Sequence, residues 1–307
     1  MTSEKPTTQK PSTKTKVHYV DEIETVKTAV AKTDEIKSVV EVKSVVEPIS
    51  FEEDSGMGIE EADKSSFAIP FLTVLQALSP QIETVDGSKQ GMIINTITNE
   101  LWKGEEGVKV IPVAFQRRYL RWSPRSSGGG FKGELNPMDV ETGRVPGLSS
   151  HNGVFLMDVP EGVTTVFDGD GRPLYDHLAD TRNHFVLFQN GSGSWRPAMV
   201  SLASTNIKKS KRWMSRIQGV ELVNSQGKRY NPPSFSHIYS MKTTKEKNNK
   251  GSWYSAEFDS VSVVEDVQLY ADAKAFHQQI IAGNVEVSPP SGSQPRQGEE
   301  FDENEKF

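Results

Sequence analysis

The chain of 307 residues contains no cysteine, and this absence excludes several kinds of protein. Without a thiol the chain cannot form a disulfide framework, a thiolate metal site or a cysteine nucleophile. It has no apolar run approaching the roughly 20 residues of a membrane-spanning helix. Its first ten residues also lack the apolar stretch of a secretory signal. These absences predict a protein of the reducing cytoplasm that has no membrane contact.

The net charge of −6 hides an uneven distribution of charge along the chain. Residues 1–64 carry 14 acidic and 9 basic side chains, and residues 299–307 carry five acidic side chains and one basic. Subtracting both segments from the totals of 41 and 35 leaves 22 acidic and 25 basic residues in 65–298, a net charge of +3. The body is therefore mildly basic, and a polyanionic ligand is not excluded.

Composition divides the chain into three parts. Residues 1–64 are rich in Thr, Lys, Glu, Val and Ser and nearly lack aromatic residues, which predicts a disordered acidic extension. Residues 65–283 alternate apolar runs with turn residues and form the predicted folded body. Residues 284–307 comprise a linker rich in Pro, Gly and Ser, followed by an acidic tail.

The body is predicted to be mainly β with added helices, an α+β fold. The longest strand-like run covers residues 107–122, and Pro112 within it predicts an edge position or a bulge. Two predicted hairpins lie in the second half of the body, 184–189 with 196–203 and 234–244 with 252–264. Amphipathic patterns predict three helices, at 70–78, 204–217 and 265–283.

Arginines and aromatic residues are interleaved in residues 115–133. Guanidinium groups suit phosphate oxygens, and aromatic rings offer faces on which bases stack, so this mixture is typical of a surface that follows a single nucleic-acid strand without reading its sequence. The alternative is that the rings belong to the core and the arginines extend over its rim. The candidate binding residues are Arg117, Arg118, Tyr119, Arg121, Trp122, Arg125, Phe131 and Lys132.

The predicted helix at 204–217 supplies a second basic surface. Ile207, Met214 and Ile217 fall on one helical face, which leaves most of the cations on other faces. We expect these cations to contact phosphate and Trp213 to be a weaker stacking ring, although a basic surface helix that is merely solvated would show the same pattern. The candidates are Lys208, Lys209, Lys211, Arg212 and Trp213.

The C-terminal sequence EEFDENEKF places five carboxylates and a final phenylalanine after the flexible linker. It resembles the acidic, aromatic-ended tails of bacteriophage single-stranded DNA-binding proteins. Further blocks resemble a phage replication-protein family: Pro70-Phe71-Leu72, Ser79-Pro80-Gln81, Tyr119 with Trp122, Gly128–Phe131, and Ser204-Thr205 with Lys208-Lys209-Ser210. The resemblance implies an OB-fold-like β-barrel body with an acidic C-terminal tail, and composition predicts that disordered tails flank this body. It also implies a partner-binding tail made of Glu299, Glu300, Phe301, Asp302, Glu303, Glu305 and Phe307.

Patterns that would indicate catalysis or metal binding are missing or incomplete. The GGGFKG sequence at 128–133 lacks the spacing of a phosphate-binding P-loop, and the turn at 168–171 lacks the glutamate of a calcium loop. The six histidines are scattered without metal-ligand spacing. No catalytic residue, metal site or cofactor is predicted, and the chain is not expected to be an enzyme.

Together these features predict a sequence-nonspecific single-stranded DNA-binding protein of phage replication or recombination, acting in the bacterial host cytoplasm. It would protect single-stranded DNA and recruit proteins such as a polymerase, helicase or primase through its tail. Two alternatives stay open: a single-strand annealing recombination protein and a phage structural or assembly protein. The oligomeric state is also open, with a homodimer among the alternatives, as is the binding of RNA.

An acidic tail on a flexible tether competes with nucleic acid for a basic surface. Deleting residues 299–307 is therefore expected to raise the affinity for single-stranded DNA in filter binding and to abolish capture of replication proteins in pull-downs. The matched control is deletion of residues 2–10, nine residues that carry one acidic and two basic side chains. Weaker DNA binding by the chain without its acidic tail would contradict the competition.

Overall fold

The computed structural model describes residues 52, 57–58, 68–249, 251–283 and 285. Within these residues the chain is mainly β with a few helices, so the predicted mixed α+β class is confirmed. The predicted extension 1–64 and the predicted linker and tail 284–307 lie almost entirely outside the described residues. No helix among the described residues is long and apolar enough to span a membrane.

The strands, in chain order, are β1 (Leu72–Val74), β2 (Ile93–Asn95), β3 (Leu101–Trp102), β4 (Val108–Trp122), β5 (Phe131–Leu135), β6 (Leu148–His151), β7 (Val154–Met157), β8 (His177–Gln189), β9 (Trp195–Ala203), β10 (Leu222–Val223), β11 (Arg229–Tyr230), β12 (His237–Asn248) and β13 (Gly251–Val263). The helices are α1 (Gln81–Thr84), α2 (Pro137–Glu141), α3 (Asn206–Gln218) and α4 (Val267–Ile281). Two short 3-10 helices lie at Arg125–Ser127 and Ser234–Ser236. The predicted long strand, both hairpins and the helices at 204–217 and 265–283 are thus confirmed.

The long strands β4 and β8 form the centre of an eight-stranded antiparallel sheet. They pair from Val110 opposite Phe188 to Trp122 opposite His177. At one end of this ladder β12 and β9 flank the pair, and at the other end β5 and β7 do so. Pro112 sits at a register shift in β4, so the predicted bulge is confirmed. In the registers of the described strands, β4 pairs at Pro112 with β8 and not with β12 or β5.

The predicted OB-type barrel is wrong, because the sheet stays open among the described residues. The hydrogen-bonded order ends at β13 and β6. Side chains of α3 cover part of the β13 edge: the Asn206 Oδ1 accepts from the Ala256 backbone N–H at 3.2 Å, and the Arg216 guanidinium donates to the Phe258 carbonyl. Backbone groups satisfied in this way are not free to pair with a further strand.

Two apolar clusters fill the two sides of the sheet at the end near β9 and β12. The α3 cluster contains Leu72, Val110, Phe188, Trp213 and Phe258 among its buried members. The α4 cluster contains Phe71, Ile111, Phe185, Leu269 and Phe276 among its buried members. Because a pleated sheet points successive side chains to opposite faces, both clusters draw on the same strands.

The predicted helix at 70–78 is wrong, since this segment contains strand β1. Phe71 enters the α4 cluster and Leu72 enters the α3 cluster. Neighbouring residues that bury on opposite sides fit the two-residue period of a strand. An isolated bridge between Phe71 and Met199 also places this segment beside β9. Tertiary burial therefore outweighed the helical spacing of the leucines.

The indole of Trp213 lies at the centre of the α3 cluster, stacked on Phe258 with ring centroids 3.8 Å apart. Replacing Trp213 with alanine is expected to lower the free energy of unfolding by about 3–5 kcal/mol, because it removes a large buried ring and leaves a cavity. Chemical denaturation measures the change. Tyr230→Ala, at a ring that is 46% exposed, is the control and should change stability by about 0.5 kcal/mol or less. Equal effects of the two changes would contradict a core role for Trp213.

Candidate nucleic-acid interface

The arginines of β4 are divided between the two faces of the sheet. Arg117 and Arg121 share one face because they are separated by an even number of residues, and Arg118 lies on the opposite face. The candidate arginines of residues 115–125 therefore do not share one surface. Arg125 lies beyond the strand in the exposed 3-10 helix, followed by Gly128, Gly129 and Gly130, whose positive φ angles let the β4–β5 connection turn.

Arg117 is held by carboxylates. Its Nε and Nη2 donate to the two oxygens of Asp180 at 2.9 and 2.8 Å, and its Nη1 donates to Glu141 at 2.6 Å. Its guanidinium also lies 5.3 Å from the centre of the Tyr119 ring. The hydrogen bonds to Asp180 raise the pKa of Arg117 above its ordinary value. This guanidinium is a structural cross-link between β4, β8 and α2.

Arg121 and Lys132 share the carboxylate of Asp176. Arg121 Nε and Lys132 Nζ donate to it at 2.8 and 2.9 Å, and Arg121 also reaches Asp158 at 2.9 Å. Burial alone would raise the pKa of Asp176, but the hydrogen bonds from Lys132 and Arg121 outweigh it and lower that pKa. On the other face, Arg118 pairs with Glu134 at 3.2 Å. The cations of this segment are thus largely neutralised within the protein.

The predicted stacking rings need correction. Tyr119, Trp122 and Trp213 expose only 6%, 1% and 1% of their surface. Tyr119 packs against Phe155, Trp122 against Phe131, and Trp213 against Phe258. A ring whose faces are covered by protein cannot stack on a base, so these three assignments are wrong. Phe131 is half-buried and keeps some accessible surface.

Contacts on its inner face hold helix α3 against the sheet. Ile207, Ser210 and Trp213 are buried there, and Ser210 Oγ lies 2.8 Å from Nε2 of the buried His184. The His184 ring lies between Phe115 and Trp213, with centroids 5.0 and 4.7 Å away. Burial, with a smaller contribution from the positive charge of Arg182, lowers the pKa of His184 to about 3.

Two cations at the side of α3 attach the helix to the β12–β13 hairpin. Lys209 bridges Glu246, at 2.6 Å, and Glu257. Its side chain is only 15% exposed; burial would lower its pKa, but the two carboxylates raise it. Arg216 pairs with Asp259 at 3.0 Å. Lys209 was predicted to bind phosphate, and the structure instead places it in a compact ion-pair network.

The remaining cations of α3 lie on its outer face, defined here as Lys208, Lys211, Arg212 and Ser215. All four are exposed, and the helix contains no acidic residue. Arg212 reaches Glu257 only at 4.0 Å, and Lys211 has no ion pair among the described residues. The structure thus brings together the predicted residues Lys208, Lys211 and Arg212 on one surface, and their contact with phosphate stays a prediction.

Arg182 was not among the residues singled out from the sequence. It lies on β8 directly opposite Arg117 on β4. The signal was present in ADTRNHF, where the charged residues 180 and 182 lie in a strand whose following residues, FVLF, are apolar. The predicted partner-binding residues 299–307 lie outside the described residues.

Comparison with known proteins identifies a family for most of the chain. The family described as Pam3 phage gp34-like protein matches residues 40–286. The chain belongs to this family. It is therefore a bacteriophage protein, and the description of the family names no activity. Neither the curated proteins nor the solved structures contain a match to it.

No group of three or more His, Asp or Glu side chains in the described part of this gp34-like chain could hold a metal ion. The charged clusters found there are ion pairs between carboxylates and Arg or Lys, which stabilise one another without a metal. The arrangement offers positive charge on the outer face of α3 and a cross-linked ion-pair layer on the sheet.

The buried His184 of the gp34-like chain gives a pH dependence. The folded chain keeps it neutral down to about pH 3, whereas the unfolded chain protonates it near its ordinary pKa of 6.5. Between these values the unfolded state binds more protons, so the free energy of unfolding falls as pH falls, by up to about 1.4 kcal/mol per pH unit from this group. In His184→Gln this contribution is absent. Denaturation between pH 6.5 and 4.5 should therefore show a shallower loss of stability in the variant. Parallel curves would contradict the assignment.

Proposed function

We propose that this phage protein binds single-stranded DNA with little sequence preference, during replication or recombination of the phage genome. The observation that carries the proposal is the outer face of α3, where Lys208, Lys211 and Arg212 are exposed together on a helix without acidic residues. Three cations within five residues match the close spacing of phosphates along a nucleic-acid strand. Their binding would release condensed counterions, which drives association with polyanions.

The contacts that hold α3 against the sheet support the proposal, because they fix the position of its charged outer face. The stack of Trp213 on Phe258 and the bridge from Lys209 to Glu246 and Glu257 hold the inner side of the helix. A helix that is already ordered loses little conformational entropy when its outer side chains bind a ligand. Lys209 and Arg216 thus contribute by positioning the helix, and the outer cations would contact the ligand.

The preference for a single strand rests on the resemblance of the C-terminal tail to those of phage single-stranded DNA-binding proteins. In the same proposal, the acidic residues 299–307 recruit replication or recombination proteins and compete with DNA for the basic face. Phe131, which stays half-buried beside Trp122, is the predicted stacking ring that a base can still approach.

The test replaces Lys208, Lys211 and Arg212 together with alanine. If each neutralises one phosphate of a single strand, the slope of log affinity against log salt should become shallower by about 2, since each contact contributes about 0.7. Affinity at low salt should fall accordingly. Fluorescence titration of a labelled thymidine oligonucleotide, repeated at several salt concentrations, measures both quantities.

The matched control removes three exposed lysines from other surfaces, Lys89, Lys228 and Lys274. It changes the net charge by the same amount and should leave the slope nearly unchanged. A duplex of equal length, titrated in parallel, should bind more weakly than the single strand. Wild-type protein that binds neither polymer, or equal losses in the α3 variant and the control, would refute the proposal.

A further inference from the structure

The guanidinium of Arg182 is largely buried in the sheet. Its side chain is only 16% exposed, and its Nε is buried with no hydrogen-bond partner among the residues that the structure describes. Its one ion-pair contact in the described part of the chain is to Asp180, at 3.8 Å, which is too long for a hydrogen bond. Within the described residues Arg182 therefore makes no side-chain hydrogen bond, although burying a charge in this way is costly.

The neighbouring carboxylate is already occupied. Both oxygens of Asp180 accept hydrogen bonds from Arg117, in the bidentate geometry that guanidinium and carboxylate groups prefer. Glu141 also binds Arg117 and not Arg182. The carboxylate oxygens of Asp180 are thus taken up by Arg117, and Arg182, directly across the ladder, is left without a hydrogen bond to them.

The other neighbours of Arg182 on its two adjoining strands make no hydrogen bond to its guanidinium in the described part of the chain. Across β9 it faces Leu202, and its neighbours on the same face of β8 are Asp180 and the neutral His184. The positive charge of Arg182 also opposes protonation of His184. A buried guanidinium without a hydrogen bond would be stabilised by a bound anion, and its planar, bidentate donor geometry suits a phosphate group.

We propose that Arg182 is an anion subsite on the sheet that binds a phosphate group of the ligand. The inference rests on the proposed function in one respect, which is that the phosphate belongs to the bound single strand. The strand would then contact the sheet at Arg182 as well as the outer face of α3. Arg117, which shares Asp180, positions the subsite and does not itself bind the phosphate.

The first experiment measures stability. Arg182→Met and the milder Arg182→Gln remove a cation that has no hydrogen bond, so the melting temperature of the full chain should be unchanged or raised. In wild type, replacing chloride by phosphate at equal ionic strength should raise the melting temperature more than in either variant. Phosphate also stabilises proteins without binding a site, so the difference between wild type and variant is the readout. Arg172→Met, which removes an exposed arginine from a turn, is the control and should respond like wild type.

The second experiment measures binding of the thymidine oligonucleotide. Arg182→Met should weaken it several-fold at low salt and make the salt slope shallower by about 0.7, the contribution of one phosphate contact. The subsite is refuted if both Arg182 variants melt at a lower temperature than wild type, or if they equal wild type in phosphate response and in oligonucleotide affinity. The proposed function fails separately, if wild type responds to phosphate through Arg182 but does not bind the oligonucleotide.

The carboxylates of the chain's own tail share the negative charge of phosphate, and the sign of the effect distinguishes them. If Arg182 bound the tail, Arg182→Met would raise oligonucleotide affinity in the full chain and have no effect after deletion of residues 299–307. That result would overturn the proposal. A loss of affinity in both backgrounds supports it.

Discussion

The structure depends on the way α3 is fixed to the sheet. Its inner face carries Trp213, whose ring stacks on Phe258, and Ser210, which meets the buried His184. These contacts join β8 and β13, two strands that do not pair with each other, through one helix. Burial of a tryptophan is among the largest single contributions to a core. This contact therefore fixes the orientation of α3, and the orientation decides where the other side chains of the helix lie.

The cations of the body fall into two groups that composition alone does not separate. Arg117, Arg121 and Lys209 lie within hydrogen-bond distance of carboxylates and act as cross-links. Among the described residues Lys211 has no ion pair, and Arg212 and Arg182 reach carboxylates only at 4.0 and 3.8 Å. Partly buried pairs of the first kind stabilise only when both partners are present, because a single charge left there is costly. Charge available for a ligand is therefore the remainder after internal pairing.

Much of the fold could be predicted from the sequence, and less of the site. The strand at 107–122 and helices α3 and α4 followed from periodicity, because long amphipathic or apolar runs have few alternative structures. The segment at 70–78 was misjudged since its burial depends on β9, which is distant in sequence. Tyr119 and Trp122 were misjudged for a related reason: alternation gives the face of a strand but not what covers that face. Nothing in the sequence around Arg117 indicates that its partner is Asp180, which lies 63 residues away.

Helix α3 presents positive charge and also covers part of the β13 edge. Salt affects these two roles of the helix differently. Salt screens the exposed cations of the outer face, but it affects the stack of Trp213 on Phe258 very little, because that contact is apolar. Asn206, which caps the Ala256 N–H, is likewise uncharged. Helix α3 therefore keeps its place at salt concentrations that abolish binding of a polyanion. A loss of affinity on adding salt then reports the release of phosphates from the surface of an intact fold.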